Sequence, residues 1–341
     1  MSESAGKEDE SILVSVIVLT YNQEKYIAQA LDSILMQKTN FSFEILVGDD
    51  ASTDGTQKIL QAYQQRYPNI VKVFRREKNI GATRNAYELF LAAKGKYLAS
   101  CEGDDYWFSP DKLNTQVEFL ENNTQFIGCT HLCWLVDEHG RRYKNQHIDW
   151  IKKRRIFCLS DFQGIYLPGQ TATFVRRNIF LNPSHDYSIF YQGHPMIGDR
   201  VTMLIYLLQG KIFQIPSYMS CYRRYGKNKE KSVTCQLYLQ NFDGLELDYQ
   251  LNKKMENYSC AEFKTSVHFM GIRKILFAKA ALAILRGNRT AGSRLAKEIY
   301  FDEKGFLNRL QLVAYLPIYT AKKVALKAAN IFCELGGTVH K

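Results

Sequence analysis

The sequence predicts an α/β fold: a mostly parallel sheet covered by helices, with a C-terminal helical extension. Three observations carry this reading. Continuous apolar runs alternate with helical periodicity through roughly the first hundred residues. Each polar cluster in that stretch directly follows an apolar run. The positive charge is gathered at the far end, where residues 260–341 hold 14 Lys and Arg against 5 Asp and Glu, nine of the net +11.

"ILVSVIVLTYN" (Ile12 to Asn22) is β-branched and unbroken, the pattern of a strand buried on both faces. "EKYIAQALDSILMQ" follows, with Ile27, Ala30, Leu31, Ile34 and Leu35 on one helical face. Phe43 to Val47 is a second buried strand, and "DDASTDGT" is a turn in which Ser52, Thr53 or Asp54 caps a helix beginning near Thr56. Ile70 to Arg76 is a third strand. Asn79 to Gly95 is a loop and helix with Gly95 as C-cap, and "KYLASC" is a fourth strand. In a parallel sheet, ligands bind beyond the carboxyl ends of the strands. "TYN", "DDASTDGT" and "CEGDD" all follow strand ends, so they are expected on one rim.

That rim carries Glu102, Asp104 and Asp105 within four positions. Crowded carboxylates repel one another, and a hard divalent ion is the natural compensation; a solvated acidic turn before "SPDK" is the rival reading. "CTHLC" (Cys129, His131, Cys133) has the spacing of one face of a strand. The eight cysteines, irregularly placed, read as free thiols in a reducing compartment. "MSESAGKEDE" lacks the basic and apolar regions of a signal peptide, and no apolar run approaches the ~18–20 residues that span a bilayer. The basic residues form no recognisable nucleic-acid reader.

"SVIVLTYNQEKYIAQALDSILMQ", "FEILVGDDASTDGT", "NIGATRNA" and "GKYLASCEGDDYWFSPDKL", in that order, resemble the family-2 glycosyltransferases of the GT-A fold, of the bacterial surface-polysaccharide type. The resemblance is close over residues 12–120 and looser to about residue 226. It implies a Rossmann-like nucleotide-sugar-binding half at 12–120 and an acceptor-binding half at 121–235. A flexible stretch at 1–11 and a basic helical region at 236–341 would flank them. It further implies that Leu19, Thr20, the Tyr21 ring and Asn22 hold the base, with Asp50 on the base or ribose and Asp49 beside it. Arg84 would face the nucleotide. Asp104 would approach the ribose or the metal, and Asp105 would ligate Mn²⁺ or Mg²⁺ directly. Glu102 stands where the family commonly has Asp.

"HPMIGDRVTMLIYLLQGKIFQIP" resembles the family's later motif, an acid opening a helix that ends in Gly before a strand. Asp199 is that acid and the expected catalytic base, with His194 as the lesser candidate. In "CYRRYGKNKEKSVT", Arg223, Arg224 and Tyr225 stand where relatives carry diphosphate or acceptor contacts; Tyr225 replaces a His, and a solvated basic loop is the alternative. "GQTATFVRR" reads as the strand behind the acceptor site, and "WIKKRR" as surface.

Three helical stretches are expected after residue 260, the last broken or kinked at Pro317. Their basic amphipathic character suits an anionic membrane surface, the catalytic core or a second subunit. The expected activity is inverting, metal-dependent transfer from a nucleotide-sugar, UDP-linked by preference. The acceptor would be a saccharide or lipid-linked saccharide, at the cytoplasmic face of the plasma membrane. Two other classes remain: a nucleotide-sugar-binding assembly partner without catalysis, and a nucleotidyltransferase. The latter's Gly-rich phosphate loop is absent after the first strand.

Overall fold

The computed structural model describes residues 11–224, 243–285 and 289–334. The alternation read from the sequence is realised as β1 (Val14–Thr20), α1 (Ile27–Leu35), β2 (Phe43–Asp49), α2 (Thr56–Arg66), β3 (Val71–Arg75), α3 (Ala82–Ala92) and β4 (Tyr97–Glu102). β5 (Tyr106–Trp107), α4 (Lys112–Asn122), β6 (Phe126–Val136), β7 (Ile156–Phe157), α5 (Leu159–Phe162) and β8 (Val175–Arg177) follow. Then come α6 (Ile189–Gln192), α7 (Asp199–Gln209) and β9 (Lys211–Arg223). The helical part is α8 (Asp243–Phe263), α9 (Met270–Leu285), α10 (Arg289–Asp302) and α11 (Phe306–Glu334).

One sheet runs through both halves in the order β3-β2-β1-β4-β8-β6-β9-β5, with β7 paired to β9. β3, β2, β1 and β4 are all parallel. Beyond β4 the sheet is mixed, because β8 pairs antiparallel to both β4 and β6 while β9 runs parallel to β6. The register sets Thr20 beside Asp49 and Leu19 beside Glu102. Three of the polar clusters therefore do share one rim.

The unbroken apolar runs are explained by the two cores. Val14, Val16, Val18, Ile45 and Val47 pack under α1, α2 and α4, with Ile27, Leu31, Ile34, Leu60 and Leu113. The alternate residues Ile17, Leu46 and Leu98 pack on the opposite face, against Leu89, Phe90, Val201 and Leu204 of α3 and α7. Each fully buried Leu, Ile or Val contributes about 1.5–3 kcal/mol relative to exposure.

The second core also takes in Leu245, Tyr249, Leu251 and Met255 of α8 and Ile272 and Leu276 of α9. Much of the helical extension is thus seated on the catalytic core. α8 lies within the region expected to be helical, ahead of the three stretches read after residue 260. Some details differ from the sequence expectation. Gly95 is not an αL cap: its N–H donates to Ser15 Oγ at 2.9 Å, and a Cβ there would lie 2.5 Å from the Ser15 nitrogen, so close approach to β1 requires the glycine. Pro317 lies inside α11, which continues through it; the lost N–H costs one ladder bond and does not end the helix. The N-cap of α2 is Gly55, without a side-chain cap; Asp54, the residue before it, accepts the Thr56 N–H on its Oδ1 at 3.0 Å.

Candidate active site

The loops after β1 and β2 are laced together by main-chain bonds. The Asn22 N–H donates to Ser52 Oγ at 2.9 Å and the Thr53 N–H to Asn22 Oδ1 at 2.7 Å. Asn22 and Ala51 adopt positive φ values of 53° and 63° to close these turns. Tyr21 is left with its ring 48% exposed, while Thr20 beside it is buried. Thr20 Oγ1 and Asp49 Oδ2 are buried without a hydrogen-bond partner among the described residues.

Asp50, expected at the base or ribose, is also tied to the loop before α3. Its two oxygens accept the N–H groups of Ile80 and Gly81 at 2.7 and 3.0 Å. It pins the loop before α3, which leaves Asp49 as the neighbouring carboxylate with an unspent oxygen. Arg84 is exposed on α3, paired with Glu88 at 3.2 Å and lying over the Tyr191 ring at 5.5 Å.

The acidic turn after β4 depends on a glycine. A Cβ on Gly103 would lie 2.2 Å from Gln23 Oε1 and 3.1 Å from the Leu19 oxygen, so only glycine lets the turn close against the β1 loop. Within that turn the three acids part company. Glu102 reaches solvent and Asp104 is half-buried, whereas Asp105 is buried and its Oδ1 accepts the Arg223 N–H at 2.8 Å. Asp105, expected as the direct metal ligand, turns inward toward β9.

Asp199 opens α7, as its motif implied, and its Oδ1 accepts the Arg200 N–H at 2.8 Å. Burial raises its carboxyl above the usual range, partly offset by Arg200. Glu102 is pushed up to about 7, first by burial, then by the charges of Asp104 and Asp199. Asp105 is held well above the ordinary carboxylate range by burial and by Asp104 and Glu102. Glu102 and Asp199 are both solvent-accessible residues. The charge of Asp199 thus reaches Glu102, 97 positions earlier in the sequence. Thr171, in the short turn before β8, works in the opposite direction and favours the charged form of Glu102.

Glu102 has a titration consequence. Its folded carboxyl holds a proton more tightly than the unfolded chain does, so its contribution favours folding at low pH and is lost as pH rises through about 7. Melting temperature without divalent cations is expected to fall between about pH 5 and pH 8. Glu102→Gln is expected to remove part of that fall. Identical pH profiles for the two proteins would count against the raised Glu102 pKa.

Arg223 was expected near a diphosphate. It is instead 4% exposed and occupied. Nε donates to the Asp104 oxygen at 2.8 Å, Nη1 to the Asp137 and Glu138 oxygens at 3.0 and 3.1 Å, and Nη2 to Gln29 Oε1 at 2.8 Å. Its guanidinium lies 4.5 Å from the Tyr26 ring centroid. Arg223 therefore ties α1, the acidic turn and the end of β6 into one unit. Arg224 is exposed, and Tyr225 lies outside the described residues.

Sequence reading missed Gln29 and Tyr26, since nothing local marks a side chain whose partner is more than a hundred positions away. Cys129, His131 and Cys133 lie on β6 as expected, with His131 buried and held well below its usual pKa by that burial. Among the described residues no three His, Cys, Asp or Glu side chains gather into a full metal cage.

A family model described as "Glycosyl transferase family 2" matches residues 15–181. The Mycobacterium tuberculosis protein Rv1520 is 34% identical over 213 residues, 62% of this chain and 59% of that relative. A Bacillus subtilis protein provisionally named a teichuronic acid biosynthesis glycosyltransferase, TuaG, is 40% identical over 108 residues, 32% of this chain and 42% of the relative. The chain thus spans less than two thirds of either relative's length. Among solved structures, S. aureus TarS 1-349 in complex with UDP-GlcNAc superposes with a TM-score of 0.58 at 18% identity, over 85% of this chain and 80% of that one. This is a likeness of fold.

Proposed function

Because the chain belongs, through residues 15–181, to glycosyl transferase family 2, we propose that it is an inverting, metal-dependent glycosyltransferase. It would carry a sugar from a nucleotide-sugar to a hydroxyl of a saccharide or lipid-linked saccharide during polysaccharide assembly. One observation carries this reading. Glu102, at the carboxyl end of β4 in the parallel part of the sheet, lies close enough to Asp199 for that residue's charge to raise its pKa. TuaG's name favours a surface-polysaccharide role.

The residues divide the work. The exposed Tyr21 ring offers a face to the base, and Asp49 Oδ2 with Thr20 Oγ1 are the unspent polar atoms beneath it. Leu19, Asn22 and Asp50 shape that loop, and Arg84 stands at its open side. Asp199 accepts the acceptor hydroxyl's proton as that oxygen bonds to the anomeric carbon. The bond from anomeric carbon to phosphate oxygen breaks, and its electron pair leaves with the nucleoside diphosphate. A raised carboxyl pKa suits a base that must take a proton near neutral pH.

The acid cluster fits a divalent cation, because three carboxylates in one turn, one of them titrating near neutrality, lack enough positive charge of their own. Asp104 and Glu102 would hold Mn²⁺ or Mg²⁺ from the cleft side, with Asp105 behind them. The remaining coordination positions would be filled by ligands other than the protein. Bound there, such an ion neutralises charge on the departing diphosphate. The test is a panel of nucleotide-sugars with Mn²⁺, UDP-GlcNAc first, read by thermal shift and by release of nucleoside diphosphate. Stabilisation by none of the donors would overturn the proposal.

No described helix is long and apolar enough to cross a membrane. α11 nonetheless exposes Phe306, Leu307, Leu310, Val313 and Ile318, with Lys304, Lys322 and Lys323 also at the surface. We propose that this face rests on an anionic lipid surface, where a lipid-linked acceptor would be found. The full chain is expected to co-sediment with phosphatidylglycerol vesicles, and Leu307→Glu with Leu310→Glu is expected to abolish this. Undiminished sedimentation of the double variant would exclude the face.

A further inference from the structure

The segment that delivers Asp199 is gripped from outside the family-matched half. Residues 193–198, between α6 and α7, form a loop with little regular structure of its own. α8 holds it at both ends. Lys254 Nζ donates to the Gln192 oxygen at 2.9 Å and the Gly193 oxygen at 3.3 Å. Arg200, the residue after Asp199, forms an ion pair with Asp248; both are buried.

The middle of the loop is fixed by His194. Its Nδ1 accepts the N–H groups of Met196 and Ile197 at 3.1 and 3.0 Å. That arrangement needs an unprotonated Nδ1, and burial keeps the ring neutral by lowering its pKa to about 4. From the nucleotide side, Thr83 Oγ1 donates to the Pro195 oxygen at 3.1 Å, one turn beyond the loop that Asp50 pins.

We propose that α8 is part of the catalytic apparatus: Asp248 and Lys254 are positioning residues that set where the Asp199 carboxylate stands relative to the cleft. This rests on the reading of Asp199 as the base. Displacing a reacting group by ~1 Å costs on the order of 10²-fold in rate. A loop held by two contacts from one helix can tolerate no such shift. The helical extension then has two jobs, with α11 outward and α8 inward.

The test uses the full chain with Asp248→Asn, Asp248→Glu and Lys254→Met. Lys254 is solvent-exposed, so its variant keeps the fold even if Asp248→Asn does not. Hydrogen exchange of residues 193–199 is expected to quicken at least about tenfold in Lys254→Met and Asp248→Asn, with residues 14–20 and 43–49 unchanged. Nucleoside diphosphate release is expected to lose kcat with the donor KM within about twofold, and Asp248→Glu to recover part of it.

Unchanged exchange in 193–199 overturns the proposal even if activity falls. So does faster exchange with an unchanged kcat, since the loop's position would then not matter to turnover. Acceleration spread evenly over the chain would mean lost stability alone and overturns it too. Failure of the underlying activity shows separately, as a wild-type chain that releases no nucleoside diphosphate from any donor.

Discussion

Asp199→Asn is expected to lower turnover about 10²- to 10⁴-fold while leaving donor binding nearly intact. The amide keeps the shape at the start of α7 and can still accept the Arg200 N–H, so the loop should stand where it does now. What disappears is the capacity to hold a proton. The loss should therefore fall on kcat, with KM for the nucleotide-sugar little altered. Glu102 gains as well, because one of the charges that raises its pKa is gone. Its titration should move down, and the variant should melt slightly higher near pH 8 than the wild type. Steady-state release of nucleoside diphosphate, with thermal melts at two pH values, checks both. Full activity in the variant would remove Asp199 from the reaction.

Arg223→Met is the second large effect, and its origin is structural. The guanidinium serves four acceptors, the oxygens of Asp104, Asp137, Glu138 and Gln29, in a nearly sealed position. Methionine fills much of the volume and supplies no donor. The acceptors are three main-chain carbonyls and the Gln29 amide oxygen, and losing the hydrogen bonds of their charged donor costs on the order of 3–5 kcal/mol in total. Asp105 keeps its bond to the residue 223 N–H but loses the nearby positive charge, so its carboxyl should rise further. The acidic turn loses its tie to α1, and Mn²⁺ should stabilise the variant less than the wild type. Arg223→Lys is expected to recover little, because one ammonium cannot reach acceptors on three elements. Denaturant unfolding and Mn²⁺-dependent thermal shifts report on this directly. A variant as stable as the wild type would show that the clamp is dispensable.

Both results turn on residues whose type was visible early and whose partners were not. The Asp199 motif was legible because the acid, the helix it opens and the glycine at its end lie within a dozen positions. Arg223 was read as a candidate diphosphate or acceptor contact, and its structural role was not legible in the sequence. Its real partners come from positions 29, 104, 137 and 138. Asp50 shows the same limit on a smaller scale: its partners, the N–H groups of Ile80 and Gly81, lie 30 and 31 positions on and leave no local mark.

The sequence by itself determined the β-α alternation, the parallel half of the sheet, the single rim and the residue types on it. These follow from short-range patterns, since periodicity of burial and strand-end polarity are written within each element. Tertiary structure alone decided which carboxylates lie near one another, which one turns inward, and that α8 reaches the loop bearing Asp199. Those outcomes depend on electrostatic and hydrogen-bond partners brought together from distant positions, and no local pattern encodes such a meeting.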